Sequence, residues 1–226
     1  MVLSLPLILY GLDVAARTLV IVFSFIFAFY FWRRRSELEM KSSRMVFLGQ
    51  GLFIFCYGIT RLLFLLQLYF KDDYYVPIFP DPALSDLIWK ISTAVGILAM
   101  VFLLVVIETY LVKSRYVFSL IALVGCILSL VLPVETARIV TYIALPLAMI
   151  GIIALYAYLF FKSSGELRKK VSWSLNGFII FGIGVVIDTE YGKSILLGWF
   201  GIVPPFLAEV LMIVGLAIYT YYNIKD

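Results

Sequence analysis

Long apolar stretches alternate with short polar ones along this chain, and that rhythm sets the reading. Seven apolar stretches recur, over roughly 5–32, 46–70, 85–112, 116–132, 138–161, 171–188 and 195–222, none with the period-two alternation of a barrel strand. Each holds the 17 or so apolar-rich residues with which a helix rising about 1.5 Å per residue crosses a ~30 Å hydrocarbon layer. The pattern predicts an all-α, polytopic seven-transmembrane helix bundle that forms a single integral membrane domain over 1–226. The fourth and sixth stretches are the shortest and are expected to stand nearly upright.

Local signals refine the ends. Pro146 in the fifth stretch and Pro204-Pro205 in the seventh predict kinked or loosened helices. Tyr74 to Pro82, with Pro77, Pro80 and Pro82, reads as an irregular outer loop that could cap the bundle. Ser163 and Glu166 have capping-box spacing ahead of the sixth helix. No basic run precedes the first stretch, and Asp13 and Arg17 interrupt it, so it is read as a permanent helix and not a removable signal peptide.

Composition agrees. Hydrophobic residues make up 64% and charged residues 14% of the chain, against about 45–50% and 25% in soluble domains. So much apolar surface needs lipid around it. The net charge of +4 is then a topology signal, because one side holds 12 of the 18 basic residues and the other four. The crowded side has Arg33, Arg34, Arg35, Lys41 and Arg44 in the first connection, Lys113 and Arg115 in the third, Lys162, Arg168, Lys169 and Lys170 in the fifth, and Lys225 in the tail. This places the amino terminus outside and the carboxyl terminus in the cytoplasm of a cell-membrane protein. No nucleic-acid partner is needed to explain the charge. Arg33, Arg34, Arg35, Arg168, Lys169 and Lys170 form the candidate docking face for a membrane or cytoplasmic protein partner.

Chemistry is narrowed by what is missing. The chain has no histidine, which removes histidine-held zinc, bis-histidine haem and Ser-His or Cys-His nucleophilic pairs. Cys56 and Cys126 are too few for a thiolate cluster, and both lie in apolar runs, as small core residues do. Neither an enzyme, a metal site nor a cofactor is expected. A retinal pigment is not expected either, since the seventh stretch, Ile195 to Tyr222, has no lysine for a Schiff base.

The informative residues are charges inside the apolar stretches. At about 1.5 Å per residue, Arg17, Arg61 and Glu209 lie about 21–22 Å from the cytoplasmic boundary. Asp13 stands one turn from Arg17 in the favourable order for an i,i+4 pair, and Asp188 closes the sixth helix at similar height. A charge at mid-membrane costs about 2.5–3.5 kcal/mol on insertion scales, so each needs a partner or water. Two readings follow. Arg17 and Arg61 line an outward-facing pocket for an anionic or carboxylate-bearing ligand, or they pair with Asp13 and Glu209 to fasten the bundle. Glu108, near the cytoplasmic edge, either pairs with Lys113 or Arg115 by snorkelling or acts as a cytoplasm-side switch. Gln50, Gln67 and Asn176 are expected to make interhelical hydrogen bonds, and Gly177, Gly182 and Gly184 to allow close helix contact within one chain or in a homo-oligomer.

Trp89 and the segment Phe102-Leu-Leu-Val-Val-Ile-Glu108-Thr-Tyr110, followed by basic residues, resemble the third helix of seven-transmembrane sensory input domains of membrane sensor kinases. In that family the glutamate usually adjoins the tyrosine, whereas Thr109 separates them here, and no output domain is expected after Asp226. The resemblance implies a receptor-like module that signals through a separate partner. Beside it stand two alternatives: a small transporter or channel built on Arg17, Arg61 and Glu209, and a structural subunit of a membrane complex. Helices 1–3 and 5–7 show no repeat of the kind a transporter of inverted halves would carry.

Overall fold

The computed structural model describes residues 5–70, 81–112, 115–189, 192 and 206–224, with side chains from Gly11 onward. Among the described residues there are seven helices and no strand: α1 (Leu5–Glu37), α2 (Lys41–Gln67), α3 (Pro82–Val106), α4 (Val117–Val131), α5 (Val134–Lys162), α6 (Gly165–Asp188) and α7 (Leu207–Ile224). A π-helical turn, Ile107–Val112, continues α3. All but α4 are long and apolar enough to cross a membrane, which marks a multi-pass membrane protein.

α4 is shorter than the stretch over 116–132 suggested. Its 15 residues extend about 22 Å, less than a ~30 Å hydrocarbon core. The cause is local: Tyr116 adopts the left-handed conformation (φ 62°) as N-cap, and Leu132 is already extended ahead of Pro133. The other helices run past their apolar stretches into polar residues. α1 extends to Glu37, where Arg34 and Arg35 oppose the negative end of the helix dipole and Arg34 pairs with Glu37 at 2.8 Å. α2 and α5 start four or five residues early, and α6 starts at Gly165.

Several sequence expectations are corrected here. Pro82 belongs to the helix: it is the first residue of α3, where its missing N–H is no loss, and the Asp81 side chain accepts from the Leu84 amide at 3.0 Å. Residues 71–80 of the expected outer loop, and Pro204-Pro205, lie outside the described residues. Pro146 lies inside α5, as expected, and the helix continues on both sides of it. The capping box does not form, because Ser163 still belongs to the end of α5 and its hydroxyl turns back to the Phe160 carbonyl; Ser164 is the N-cap and makes no side-chain cap bond.

The helices pack as a closed ring, each against its chain neighbour, with α7 returning to α1 and α3 reaching across to α5. Phe31, Phe53, Phe178, Phe181 and Tyr219 fill the centre between α1, α2, α6 and α7. The α6–α7 contact is backbone on backbone. A Cβ on Gly215 would stand 2.6 Å from the Gly177 carbonyl oxygen and 2.4 Å from the Phe181 nitrogen. Gly177 and Gly184 sit equally close to α7, as the glycine spacing suggested, whereas Gly182 faces the flexible end of Met149 on α5.

Candidate functional site

Each of the four helices around the aromatic centre presents one continuous face to it. On α1 that face is Asp13, Arg17, Val20, Ser24, Ala28 and Phe31, spaced by threes and fours and all buried. On α2 it is Gln50, Phe53, Tyr57 and Arg61; on α7 it is Glu209, Met212, Leu216, Tyr219 and Asn223. α6 contributes Ser174, Phe178, Phe181 and Asp188. Every face therefore carries charge at one end, rings or aliphatic side chains in the middle, and polar or aromatic groups at the other end.

The charged ends meet. Arg17 Nε donates to Asp13 Oδ2 at 2.9 Å, and its Nη2 lies 3.4 Å from Asp188 Oδ1 and 3.6 Å from Glu209 Oε1. Arg61 splits its guanidinium between the same two carboxylates, with Nη1 on Asp188 Oδ2 at 2.5 Å and Nη2 on Glu209 Oε1 at 3.0 Å. The planar fork of arginine makes this two-way bridge; a lysine would offer a single nitrogen. All five residues singled out from the sequence thus form one cluster joining α1, α2, α6 and α7. Four of them are buried, Glu209 completely, and Asp188 lies at the cluster's partly open edge. Both arginines are held directly by protein carboxylates, which is the fastening geometry.

The fastening is incomplete. Among the described residues, Asp13 Oδ1, Arg61 Nε and Glu209 Oε2 are buried without a hydrogen-bond partner. Leaving a buried polar atom unsatisfied costs about 1–3 kcal/mol, more if charged. One turn deeper, Tyr57 directs its hydroxyl to Met212 Sδ at 2.6 Å and lays its ring edge-on to Phe181, 4.8 Å between centroids.

The opposite end holds a second polar group. Gln50 on α2 donates to Asn223 Oδ1 at 3.0 Å, Asn223 donates to Ser174 Oγ on α6 at 2.8 Å, and the Tyr156 and Tyr219 hydroxyls meet at 2.9 Å. Gln50 and Gln67 make the interhelical bonds expected of them, Gln67 to Ser85 on α3. Asn176 does not; it is exposed and has no hydrogen bond among the described residues. Asn223, Ser174, Tyr156 and Tyr219 were not anticipated, although the helical spacing of Asn223 from Glu209 and of Ser174 from Asp188 carries the signal. Beside this end lie Arg34 and the Arg168 side chain, whose guanidinium covers the Phe160 ring at 4.4 Å.

Lys113, one of the expected partners of Glu108, lies outside the described residues, and Glu108 is engaged with the start of α4. It is 1% exposed and sits in the π-helical turn, from which its carboxylate accepts the Phe118 amide at 3.1 Å, the Ser119 amide at 2.9 Å, and the Ser119 hydroxyl. These are the second and third amides of α4, so Glu108 caps a helix it does not belong to. The π turn aims it there, and the left-handed Arg115 and Tyr116 turn the chain so that α4 starts beneath it.

Among the described residues no group of three or more acidic or sulfur ligands could hold a metal ion. No protein-family model, curated protein or solved structure matches the chain.

Proposed function

We propose that this protein is a receptor-like, sensory seven-helix protein of the cell membrane, with its amino terminus outside and its carboxyl terminus in the cytoplasm. The charge cluster is the element that changes state, and the signal leaves through a separate partner at the basic face of Arg33, Arg34, Arg35, Arg168, Lys169 and Lys170. One observation carries the reading: Arg61 grips Asp188 and Glu209 from two other helices while Arg17 reaches the same pair from a fourth. A hub of this kind has two natural states, closed on itself or opened toward an incoming charged group, and opening loosens the junction of four helices. A purely structural fastener fits less well, because apolar packing would fasten as firmly without three unsatisfied buried atoms. The reading of a transporter for carboxylate-bearing solutes is disfavoured by the same contacts, since both guanidiniums are already held by the protein's own carboxylates.

The test is a distance measurement between spin labels at Leu62 and Val210, exposed neighbours of Arg61 and Glu209, in lipid nanodiscs. Two distance populations are expected, with Arg61→Ala shifting weight to the longer one. A single distance that Arg61→Ala leaves unchanged sinks the reading.

A further inference from the structure

We infer that Glu209 is a proton-binding site that governs whether the cluster is closed. The inference rests on the reading of the cluster as a two-state element and names what regulates it. Within the cluster each arginine has a nearer carboxylate than Glu209: Asp13 at 2.9 Å for Arg17, and Asp188 at 2.5 Å for Arg61. Glu209 is the farthest carboxylate on each guanidinium, at 3.0 Å from Arg61 and 3.6 Å from Arg17, and is held through Oε1 alone. Oε2 is completely buried and has no hydrogen-bond partner among the described residues, so it is the seat for the proton. The groups facing it are Asp13 and Arg17 from α1, Tyr57 and Arg61 from α2, and Asp188 from α6. Tyr57 is engaged with Met212.

A proton arriving from water bonds to Oε2 and converts the carboxylate to a neutral carboxylic acid. The attraction of Arg61 and Arg17 for α7 falls, while Arg17 keeps Asp13 and Arg61 keeps Asp188. α7 is then the helix set free. Because opening takes up a proton, acidification favours the open form, and a single site limits the response to about tenfold in the open-to-closed ratio per pH unit.

The full chain in nanodiscs, labelled at Leu62 and Val210, is titrated with pH while infrared difference spectra follow protonated carboxyl groups. The wild type is expected to move toward the longer distance as pH falls, up to about tenfold per unit, with a carboxyl C=O stretch rising at the same midpoint. In Glu209→Gln both the slope and the band are lost, whereas Glu37→Gln, at a carboxylate outside the cluster, keeps both. A slope that survives in Glu209→Gln, or vanishes in Glu37→Gln, overturns the proposal. So does an infrared band in the wild type that Glu209→Gln retains, a readout independent of how the variant distances behave. The two-state reading itself fails separately, by one distance in every variant at every pH; if Arg61→Ala opens the cluster but pH does not, only the proton proposal falls.

Discussion

Arg61 is the residue whose removal should cost most. Its side chain is 5% exposed and its two terminal nitrogens serve two carboxylates on two helices. Arg61→Ala leaves Asp188 with the longer 3.4 Å contact from Arg17, and Glu209 with the 3.6 Å one. Breaking a buried pair by deleting one partner costs about 3–5 kcal/mol, because a charge is left in a medium that solvates it poorly. At about 2–4 °C per kcal/mol for a chain of this size, Tm in detergent micelles should fall by about 6–20 °C. Glu209→Ala alone should cost less, since Arg61 keeps Asp188. The double variant should then sit above the sum of the single losses, with a coupling of about 1–3 kcal/mol. Arg61→Lys should land between wild type and Arg61→Ala, one nitrogen replacing two. Thermal unfolding of the four variants, followed by the loss of monodisperse protein on size exclusion, gives the cycle. Strict additivity, or an Arg61→Ala protein as stable as wild type, would refute the bridge as an energetic element.

Glu108→Ala should uncap α4, speeding amide exchange at Phe118 and Ser119 and costing about 1–2 kcal/mol; Glu108→Gln, which keeps one acceptor, should recover part of the protection. Gly215→Ala should force α6 and α7 apart, at about 1–3 kcal/mol by thermal unfolding, while Gly182→Ala should cost less because only the Met149 methyl has to swing aside. Tyr219→Phe should deprive the buried Tyr156 hydroxyl of its 2.9 Å partner and lower Tm, whereas Tyr156→Phe with Tyr219→Phe should restore most of the loss, since two apolar edges replace a matched pair. Cysteines placed at Arg34 and Arg168 should both react with an impermeant thiol reagent from the cytoplasmic face; labelling from opposite faces would undo the proposed topology.

Helix class and the charge cluster were legible in the chain for a simple reason. Lipid tolerates few charges, so Arg17, Arg61 and Glu209 stood out against apolar surroundings, and counting rise per residue brought them to one level. Their exact partners were harder to read. The spacing paired Arg17 with Asp13 but gave no sign that Arg61 divides its nitrogens between Asp188 and Glu209, because that depends on how α6 and α7 are rotated against α2. The glycines of α6 were visible, yet their counterpart Gly215 looked ordinary until the two backbones met. The bonds from Glu108 to the start of α4 were not foreseen because two of the three come from backbone amides, which no side-chain pattern announces. Several helix ends lie beyond the apolar stretch, because apolarity marks the lipid-facing length, whereas α1 and α6 continue through Arg33–Glu37 and Gly165–Lys170, where polar side chains meet water; α4 and the end of α2 fall short of theirs.

The unequal placement of counter-ions has a consequence for the order in which the chain is made. α1 emerges first and carries its own neutralising partner, Asp13 one turn from Arg17, so it enters the bilayer as a nearly balanced dipole. α2 holds no acidic residue at all. The partners of Arg61 are synthesised 127 and 148 residues later. Until then Arg61 bears the roughly 2.5–3.5 kcal/mol insertion cost alone. The second helix is therefore provisional during translation, and its final seating waits for the last two helices to arrive.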